Sequence, residues 1–548
     1  MLTYPHFTPH FPKDRWTLPA ILEHQAAVRP DRPCLSWTDA GPAHSFSEVN
    51  GIANRLARGF AKRGVGKGDF VVLFLPNCLE YVFAWYGLSK LGAVEVTVGD
   101  SYKGDFLRHQ TALSKAKIVV TTAELAPRLA DIEDALPHVE HCILLDGDAD
   151  FRRITVSRFS DLYDDEAGNL GTPLTPRDLA AVLFTSGTTG LSKGVLMSHS
   201  QFYFFAEEDV QLVGLTEDDV YMTGFPLFHG NAQFLTVYPC LIAGAHCVLY
   251  PRFSASDFIG RARRSGATVC NLLGSTMAFI LAQPPQPDDR DHRLSRIYAA
   301  PLSPDLAGTF TERFGVSEFV DGFGQTEISN VFQTPRGATR PPGASGVLMD
   351  QWFEIRLADP ETDEEVPEGE VGELLVRHKA PNIMCEGYLG MPEKTVETWR
   401  NLWFHTGDAM RRDSEGWYYF VDRVKDALRR RGENISSFEV ESVVRTHPAV
   451  AECAVVGVKA DEEGGENEVM ACVVLNPGAT LSFEDLVRWC DARMPAFMVP
   501  RFIEVVDELP RTPSQKIRKK DLRDRGVTDA TWDRVRSGCA LEGERKRA

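Results

Sequence analysis

No C-x-x-C pair occurs in the sequence, and its eleven cysteines lie singly along the chain. This distribution argues against a thiolate zinc site and a disulfide framework, and it is typical of a reducing compartment. No stretch reaches the roughly 18–20 apolar residues that a membrane helix needs. The N-terminus lacks a charged segment followed by an apolar run, so we expect no signal peptide. The sequence therefore predicts a soluble cytoplasmic protein without integral membrane association.

Basic residues are scarce relative to acidic ones. The chain has 59 Lys and Arg against 77 Asp and Glu, a formal net charge of −18. Such a chain repels polyanions overall, which argues against nucleic acid as a partner. Its 548 residues allow roughly three or four compact units.

Helix and strand patterns alternate in two blocks, residues 1–170 and about 179–320. In the first block, helices are predicted at 46–63 and 78–91, and strands at 70–75 and 118–122. In the second block, strands are predicted at 180–184, 246–250 and 269–273. Because strands that alternate with helices form layered α/β structures, we expect two α/β subdomains.

Short β-like runs separated by turn clusters replace this alternation from about residue 343. They indicate a small β-rich subdomain at about 343–422, which completes an N-terminal domain of residues 1–422. Further helices and strands follow, and residues 423–548 are long enough for a separate α+β domain. The predicted fold class is α/β, with a large N-terminal domain and a small C-terminal domain.

The segment with the clearest chemistry is LFTSGTTGLSKGVLMSHS, from Leu183 to Ser200. A predicted strand leads into a run of Gly, Ser and Thr that is followed by Lys193. Glycines let backbone N–H groups turn toward an anion, hydroxyls donate further hydrogen bonds, and the lysine adds a charge. This composition suits a triphosphate. A Walker A loop is excluded, because that pattern requires glycine where Ser192 stands.

Two alternative interpretations of this segment compete with phosphate binding. Gly190, Ser192 and Gly194 satisfy the G-x-S-x-G pattern of a hydrolase nucleophile elbow, which requires a helix directly after the turn. Residues 194–198 are predicted to form a strand instead, which disfavours the elbow. A flexible polar loop is disfavoured because so dense a run of Ser, Thr and Gly before Lys-Gly rarely arises by chance.

Five further motifs follow in order: FPLFHGN, GFGQTE, WFHTGD, VDRVKDALRRRGENIS and LPRTPSQKIRKKDLR. With TSGTTGLSKG, they resemble the adenylate-forming superfamily of acyl-CoA synthetases, adenylation domains and beetle luciferases. The RRRGENIS run, and a residue other than glycine before Lys516, most resemble the crotonobetaine/carnitine-CoA ligase branch. The resemblance implies three N-terminal subdomains and a mobile C-terminal domain.

The resemblance also implies how MgATP binds. It assigns the triphosphate to Thr185, Ser186, Gly187, Thr188, Thr189, Gly190 and Lys193, and the adenine to Ala300, Pro301, Asp321, Gly322, Phe323 and Gly324. In this arrangement Asp321 accepts a hydrogen bond from the adenine amino group, and Phe323 stacks on the ring. Thr326 binds the α-phosphate, while Glu327 and Thr188 hold Mg²⁺, a cation that prefers oxygen ligands. The ribose is assigned to Asp408, at a predicted turn, and to Arg423.

Four more residues receive catalytic or conformational roles by resemblance. Lys516 is the cation that offsets repulsion between the attacking carboxylate and the phosphate, although Gln515 stands where the family usually has glycine. Lys425 is the hinge of the C-terminal domain, Gly432 enters for the CoA step, and His229 lies at the junction of acyl group and adenylate. The basic cluster Arg429–Arg431 with Lys519 and Lys520 either binds CoA phosphates or is a solvated face.

The sequence thus predicts an ATP-dependent acid:CoA ligase that uses ATP, Mg²⁺ and coenzyme A. Its carboxylic acid is a betaine bound by aromatic faces, or a medium-chain or aryl acid in an apolar pocket. The aromatic candidates are Phe202, Phe204, Phe205, Phe228, Phe234 and Phe332. A carrier-protein-loading enzyme and a non-catalytic nucleotide-binding protein are the alternatives, and a homodimer is left open.

Overall fold

The computed structural model describes residues 2–39, 41–185, 192–300, 302, 304–424, 428–430, 433–435, 437–459, 467–494, 496, 498–511 and 517–541. Its α-helices are α1 Leu18–Val28, α2 Phe46–Lys62, α3 Leu79–Leu91, α4 Gly104–Ser114, α5 Ala126–Ala130, α6 His199–Val213, α7 Gly230–Ala232, α8 Tyr238–Ala243, α9 Phe258–Ser265, α10 Gly274–Leu281, α11 Pro304–Phe314, α12 Pro392–Thr398, α13 Ser437–Arg445, α14 Phe483–Asp491 and α15 Lys519–Arg525. A π-helix spans Gln233–Val237, and 3₁₀ turns lie at Lys13–Arg15, Glu133–Ala135, Phe159–Leu162 and Arg400–Leu402.

The strands are β1 Pro33–Trp37, β2 His44–Ser45, β3 Phe70–Phe74, β4 Val94–Val98, β5 Ile118–Thr121, β6 His141–Leu144, β7 Thr155–Arg158, β8 Leu179–Thr185, β9 Lys193–Ser198, β10 Val220–Thr223, β11 His246–Leu249, β12 Val269–Leu272, β13 Arg296–Ala299, β14 Glu318–Val320, β15 Gly322–Gln325, β16 Ser329–Gln333, β17 Gly346–Leu348, β18 Phe353–Ala358, β19 Gly372–His378, β20 Gly387–Tyr388, β21 Phe404–Arg412, β22 Trp417–Arg423, β23 Leu428–Arg430, β24 Glu433–Ile435, β25 Val450–Lys459, β26 Asn467–Leu475, β27 Phe502–Val505 and β28 Trp532–Asp533. The predicted helices and strands of both N-terminal blocks are all present, with ends that differ by one or two residues.

Local sequence explains how the first helices begin and end. Helix α2 begins at a capping box, in which the Ser45 hydroxyl accepts from the Glu48 amide and the Glu48 carboxylate accepts from the Ser45 amide. Helix α3 is buried from Tyr81 to Leu91 and packs against α2. It ends at Gly92, whose φ of +72° is the left-handed conformation that glycine adopts without strain.

Two mainly parallel sheets form the α/β part of the molecule. One has the order β20-β9-β8-β4-β3-β5-β6-β7 and is parallel from β8 to β7, while the other has the order β14-β13-β12-β10-β11-β1-β2 and is parallel from β14 to β1. In such sheets ligands bind beyond the carboxyl ends of the strands. Strand β8 ends at Thr185, so the segment of Gly, Ser and Thr begins at the carboxyl end of a strand of the parallel sheet.

An antiparallel sheet of order β15-β16-β17-β22-β21-β19-β18 follows. It confirms the β-rich character of this region, and it begins at Gly322, ahead of the predicted limit near residue 343. The C-terminal part contains the sheet β25-β26-β27-β28, the hairpin β23-β24 and helices α13–α15.

The C-terminal part has a hydrophobic core made from its own residues, which include Val440, Val455, Val473 and Leu486. The predicted fold class, α/β with a separate C-terminal α+β domain, is confirmed, and the boundary after residue 422 stays a prediction. Within the described ranges, no helix is both long and apolar enough to cross a membrane.

Candidate active site

Strands β8 and β9 frame the predicted phosphate-binding segment. They are antiparallel neighbours, with Thr185 opposite Lys193. Ser186, Gly187, Thr188, Thr189 and Gly190 lie outside the described residues, so their predicted roles stay predictions.

The nucleophile-elbow alternative for this segment is wrong. A strand, not a helix, begins directly after Ser192. The Ser192 side chain is buried and accepts a hydrogen bond from Gln110 at 3.0 Å, so its hydroxyl is not presented for nucleophilic attack.

Lys193 and Glu327 are linked through the hydroxyl of Tyr388. The Lys193 ammonium donates to this hydroxyl at 2.9 Å, and the hydroxyl donates to the Glu327 carboxylate at 3.1 Å. The ammonium also lies 4.1 Å from the centre of the tyrosine ring. Burial lowers the pKa of Lys193, and the negative charge of Glu327 opposes this shift. The sequence analysis missed Tyr388, because only the pairing of β20 with β9 brings it here.

The backbone of Thr326 and Glu327 is fixed by helix α6. The Gln201 amide donates to the carbonyl of Thr326 at 2.8 Å and to that of Glu327 at 3.3 Å, and Cys385 N–H also donates to the latter. Glu327 is 7% exposed. These contacts fix the backbone that carries the Glu327 carboxylate, which Tyr388 links to Lys193. The predicted roles of Thr326 at the α-phosphate and of Glu327 at Mg²⁺ stay predictions.

The predicted ribose ligands Asp408 and Arg423 are cross-strand partners in β21 and β22. The Arg423 Nε lies 2.6 Å from the Asp408 Oδ1. The prediction of a turn at Asp408 is wrong, since this residue is buried inside β21. Gly407, with φ of +70°, and an irregularity after Ala409 deform the strand locally, which accounts for the turn-like sequence. Gln325, which the sequence analysis assigned no role, donates to Asp408 at 2.6 Å.

The predicted adenine contacts lie around strand β15. Gly322, Phe323 and Gly324 belong to the strand, and the half-buried Phe323 ring stacks on Phe420, with 6.1 Å between centroids. A Cβ on Gly324 would lie 2.1 Å from the carbonyl oxygen of Ser329, which requires glycine there. Ala300 is half-buried at the end of β13, and Pro301 lies outside the described residues.

Asp321 already has a cationic partner. Its carboxylate lies 2.7 Å from the Arg340 guanidinium and accepts from the Leu302 amide at 3.3 Å. Burial raises the pKa of Asp321 to about 7, and Arg340 opposes the shift. Arg340 was missed because it has no motif of its own and lies in the segment between β16 and β17.

His229 caps the short helix α7, where its Nδ1 accepts from the Asn231 amide at 3.2 Å. The loop before it is held by Asn77, whose side chain donates to the Phe225 carbonyl and accepts from the Leu227 amide, both at 2.8 Å. The sequence analysis did not identify Asn77.

The six candidate phenylalanines do not line one pocket. Phe202 and Phe205 each pack on Phe234, with 4.8 Å between centroids. Phe204 packs against Trp352, and Phe332 stacks on Tyr418. The last two therefore belong to the core, while Phe228 lies by Gly99.

Lys425, Gly432 and Lys516 lie outside the described residues, and their roles stay predictions. Of the basic cluster, Lys519 forms an ion pair with Glu441 at 2.8 Å and Lys520 one with Asp524 at 2.5 Å. Both lysines are therefore partnered by carboxylates.

Comparison with known proteins assigns this arrangement to a family. The AMP-binding enzyme family matches residues 22–389, and the C-terminal domain of AMP-binding enzymes matches residues 439–516. The chain belongs to the AMP-binding enzyme family. It is similar to a crotonobetaine/carnitine–CoA ligase of Escherichia coli O157:H7, 35% identical over 496 residues, which cover 88% of this chain and 93% of that protein. The corresponding Citrobacter koseri protein is 34% identical over 494 residues, covering 87% and 93%.

Solved structures agree with this assignment. An anthranilate CoA ligase, AuaEII, in complex with anthranoyl-AMP superposes with a TM-score of 0.84 at 28% identity, covering 94% of this chain and 98% of that one. A benzoate CoA ligase from Burkholderia xenovorans LB400 gives 0.80 at 25% identity, covering 92% and 99%. The prediction of an AMP-forming acyl-CoA synthetase that uses ATP and CoA is confirmed at the level of the family.

Proposed function

We propose that the protein is an ATP-dependent acid:CoA ligase. The acid carboxylate attacks the α-phosphorus of ATP and pyrophosphate leaves, giving acyl-AMP. The CoA thiol then attacks the acyl carbonyl and AMP leaves, giving acyl-CoA. The observation that carries this proposal is the cluster of Lys193, Tyr388 and Glu327, which the β15–β16 hairpin joins to the pair Asp408–Arg423.

Lys193 offers an ammonium to the triphosphate from the end of the Gly, Ser and Thr segment. Asp408 offers carboxylate oxygens to the ribose, with Arg423 and Gln325 fixing its orientation. Two anions meet when a carboxylate attacks a phosphate, so fixed positive charge lowers the barrier. We propose that the Lys516 ammonium supplies this positive charge.

Glu327 fits the predicted Mg²⁺ site. Mg²⁺ in nucleotide sites is held by one or two carboxylates together with phosphate oxygens, and Glu327 is a carboxylate beside the phosphate-binding lysine. Glu327 and Thr188 would hold the ion, which neutralises phosphate charge when bound. Among the described residues no group of three His, Cys, Asp or Glu side chains could hold a metal, which agrees with a site completed by the nucleotide.

For the acid, we propose a betaine. The names of the relatives at 34–35% identity support it. The Phe234 ring packs on Gly230, beside His229, and aromatic rings attract quaternary ammonium groups. The second candidate is a neutral medium-chain or aryl acid, which the near-complete burial of Phe202 and Phe234 favours.

A pyrophosphate-release screen over an acid library, with and without CoA, tests the activity. Acid-dependent release with acyl-CoA formation supports the ligase. Release without CoA thioester would favour the carrier-protein-loading alternative, and no release with any acid would favour the non-catalytic one.

A matched pair of acids tests the substrate: a trimethylammonium acid and its isostere with carbon in place of nitrogen. A desolvated cation over aromatic faces gains about 2 kcal/mol, so kcat/KM is expected to favour the betaine about thirtyfold. Faster reaction of the neutral acid would leave a medium-chain or aryl acid ligase, because an apolar pocket strips water from a charge without compensation. A homodimer and a cytoplasmic location stay predictions, and sedimentation velocity would test the former.

A further inference from the structure

Arg340 and Asp321 form an ion pair that is almost closed to solvent, with exposed side-chain fractions of 11% and 5%. Arg340 also donates to the carbonyls of Leu302 and Ala344. Because Asp321 accepts from the Leu302 amide, the pair holds both the N–H and the C=O of Leu302. It therefore joins the segment after Ala300 to the start of β15, the two segments proposed to enclose adenine.

The ionisation of Asp321 decides what it can recognise. An ionised carboxylate only accepts hydrogen bonds, whereas a protonated carboxyl also donates. Burial raises the pKa of this carboxyl, and Arg340 is the cation that opposes the shift. Among the described residues, Tyr298 is a further titratable group, whose pKa is raised by burial and by the charge of Asp321. Adenine presents an amino donor at C6, and guanine or hypoxanthine presents a carbonyl acceptor there.

We propose that Arg340 sets the base selectivity of the enzyme, by holding Asp321 as an acceptor that matches the 6-amino group of adenine and rejects a 6-carbonyl group. The inference rests on the proposed function, which places adenine beside Asp321. Arg340 acts through Asp321 and is therefore a positioning residue.

The test measures kcat/KM for ATP and for ITP, which differ at C6, in the wild type and in Arg340→Met. It is run at about pH 8, where the wild-type Asp321, whose pKa is about 7, is mostly ionised. Losing the cation favours a protonated Asp321 that donates to the ITP carbonyl, so we expect the ATP/ITP preference to fall about tenfold or more. Arg340→Lys keeps the charge and should keep most of the preference. The matched control is Arg336→Met on the same segment. Arg336 pairs with Glu318 in a more exposed position, and its ratio should stay within about twofold.

Two outcomes would overturn the inference. The first is an equal loss for ATP and ITP in Arg340→Met, which indicates a merely structural role. The second is a wild-type enzyme that uses both nucleotides equally. If Arg340→Met does not fold, Asp321→Asn decides, because its amide can donate to the ITP carbonyl, and an unchanged ATP preference there contradicts the proposal. A wild-type protein that releases no pyrophosphate with ATP and any acid would instead contradict the proposed function.

Discussion

Lys193 and Lys519, on either side of the proposed hinge, meet their glutamates in different ways. Lys519 contacts Glu441 directly at 2.8 Å and donates to the Ser437 hydroxyl at 2.5 Å. Between Lys193 and Glu327 stands the Tyr388 hydroxyl. A direct pair neutralises both charges, whereas the intervening hydroxyl leaves the ammonium and the carboxylate each able to take an outside partner. The N-terminal pair is thus arranged for a ligand.

The contacts around Lys519 are structural. Glu441 also accepts from the Val455 amide at 2.7 Å, and Ser437 donates to Asp422 on β22. The cluster thereby connects α13, β25, α15 and β22. From this difference we expect the charges around Lys519 to stabilise packing, and we propose that those around Lys193 bind the substrate.

Lys516→Ala tests the proposed exception to this contrast, a C-terminal lysine to which we assign a catalytic role. Adenylate formation should fall by about 100-fold or more, since a cation that stabilises transition-state charge is lost. Thioester formation from prepared acyl-AMP should be spared, as measured by single-turnover assays of each half-reaction. Lys520→Ala, whose side chain pairs with Asp524, is the control and should match wild type. A parallel loss of both half-reactions would argue against domain alternation.

Replacing each of the two contrasted lysines by methionine tests the comparison directly. Lys519→Met leaves Glu441 without its cation in a nearly buried site, and should lower the free energy of unfolding by about 2 kcal/mol. Lys193→Met should lower kcat/KM for ATP about tenfold and leave the unfolding free energy close to wild type. Denaturant titration and steady-state kinetics measure these effects. The reverse pattern would show that the roles are assigned to the wrong lysines.

Gly432→Leu should have the opposite selectivity to Lys516→Ala, slowing the CoA step and sparing the adenylation step. If this residue enters the site to admit CoA, a bulky side chain should slow thioester formation about tenfold. Adenylate formation should proceed near its normal rate. Normal CoA turnover in this variant would show that the residue does not line the path of the thiol.

Tyr388→Phe should give the smallest effect. It removes the hydroxyl between Lys193 and Glu327, so the Mg²⁺ concentration for half-maximal activity should rise about fivefold. Titrating Mg²⁺ at saturating ATP measures this shift. An unchanged Mg²⁺ requirement with a lower Tm would make Tyr388 a packing residue.

Much of the molecule follows from local patterns. The capping box before Phe46 and the alternation of β3, α3 and β4 depend on neighbours in the chain, so the α/β class was predictable. The phosphate-binding prediction was equally local, because the run of Gly, Ser and Thr before Lys193 indicates its chemistry by composition alone.

Other features depend on residues far apart in the chain. Tyr388 meets Lys193 across 195 residues, because β20 pairs with β9. Asp408 was predicted in a turn, but its pairing with Arg423 across β21 and β22 places it inside a strand. Arg340 carries no sequence signal, and only the packing of its segment against Asp321 gives it a partner. Long-range sheet pairing, which no local period encodes, decided which charges meet in the candidate site.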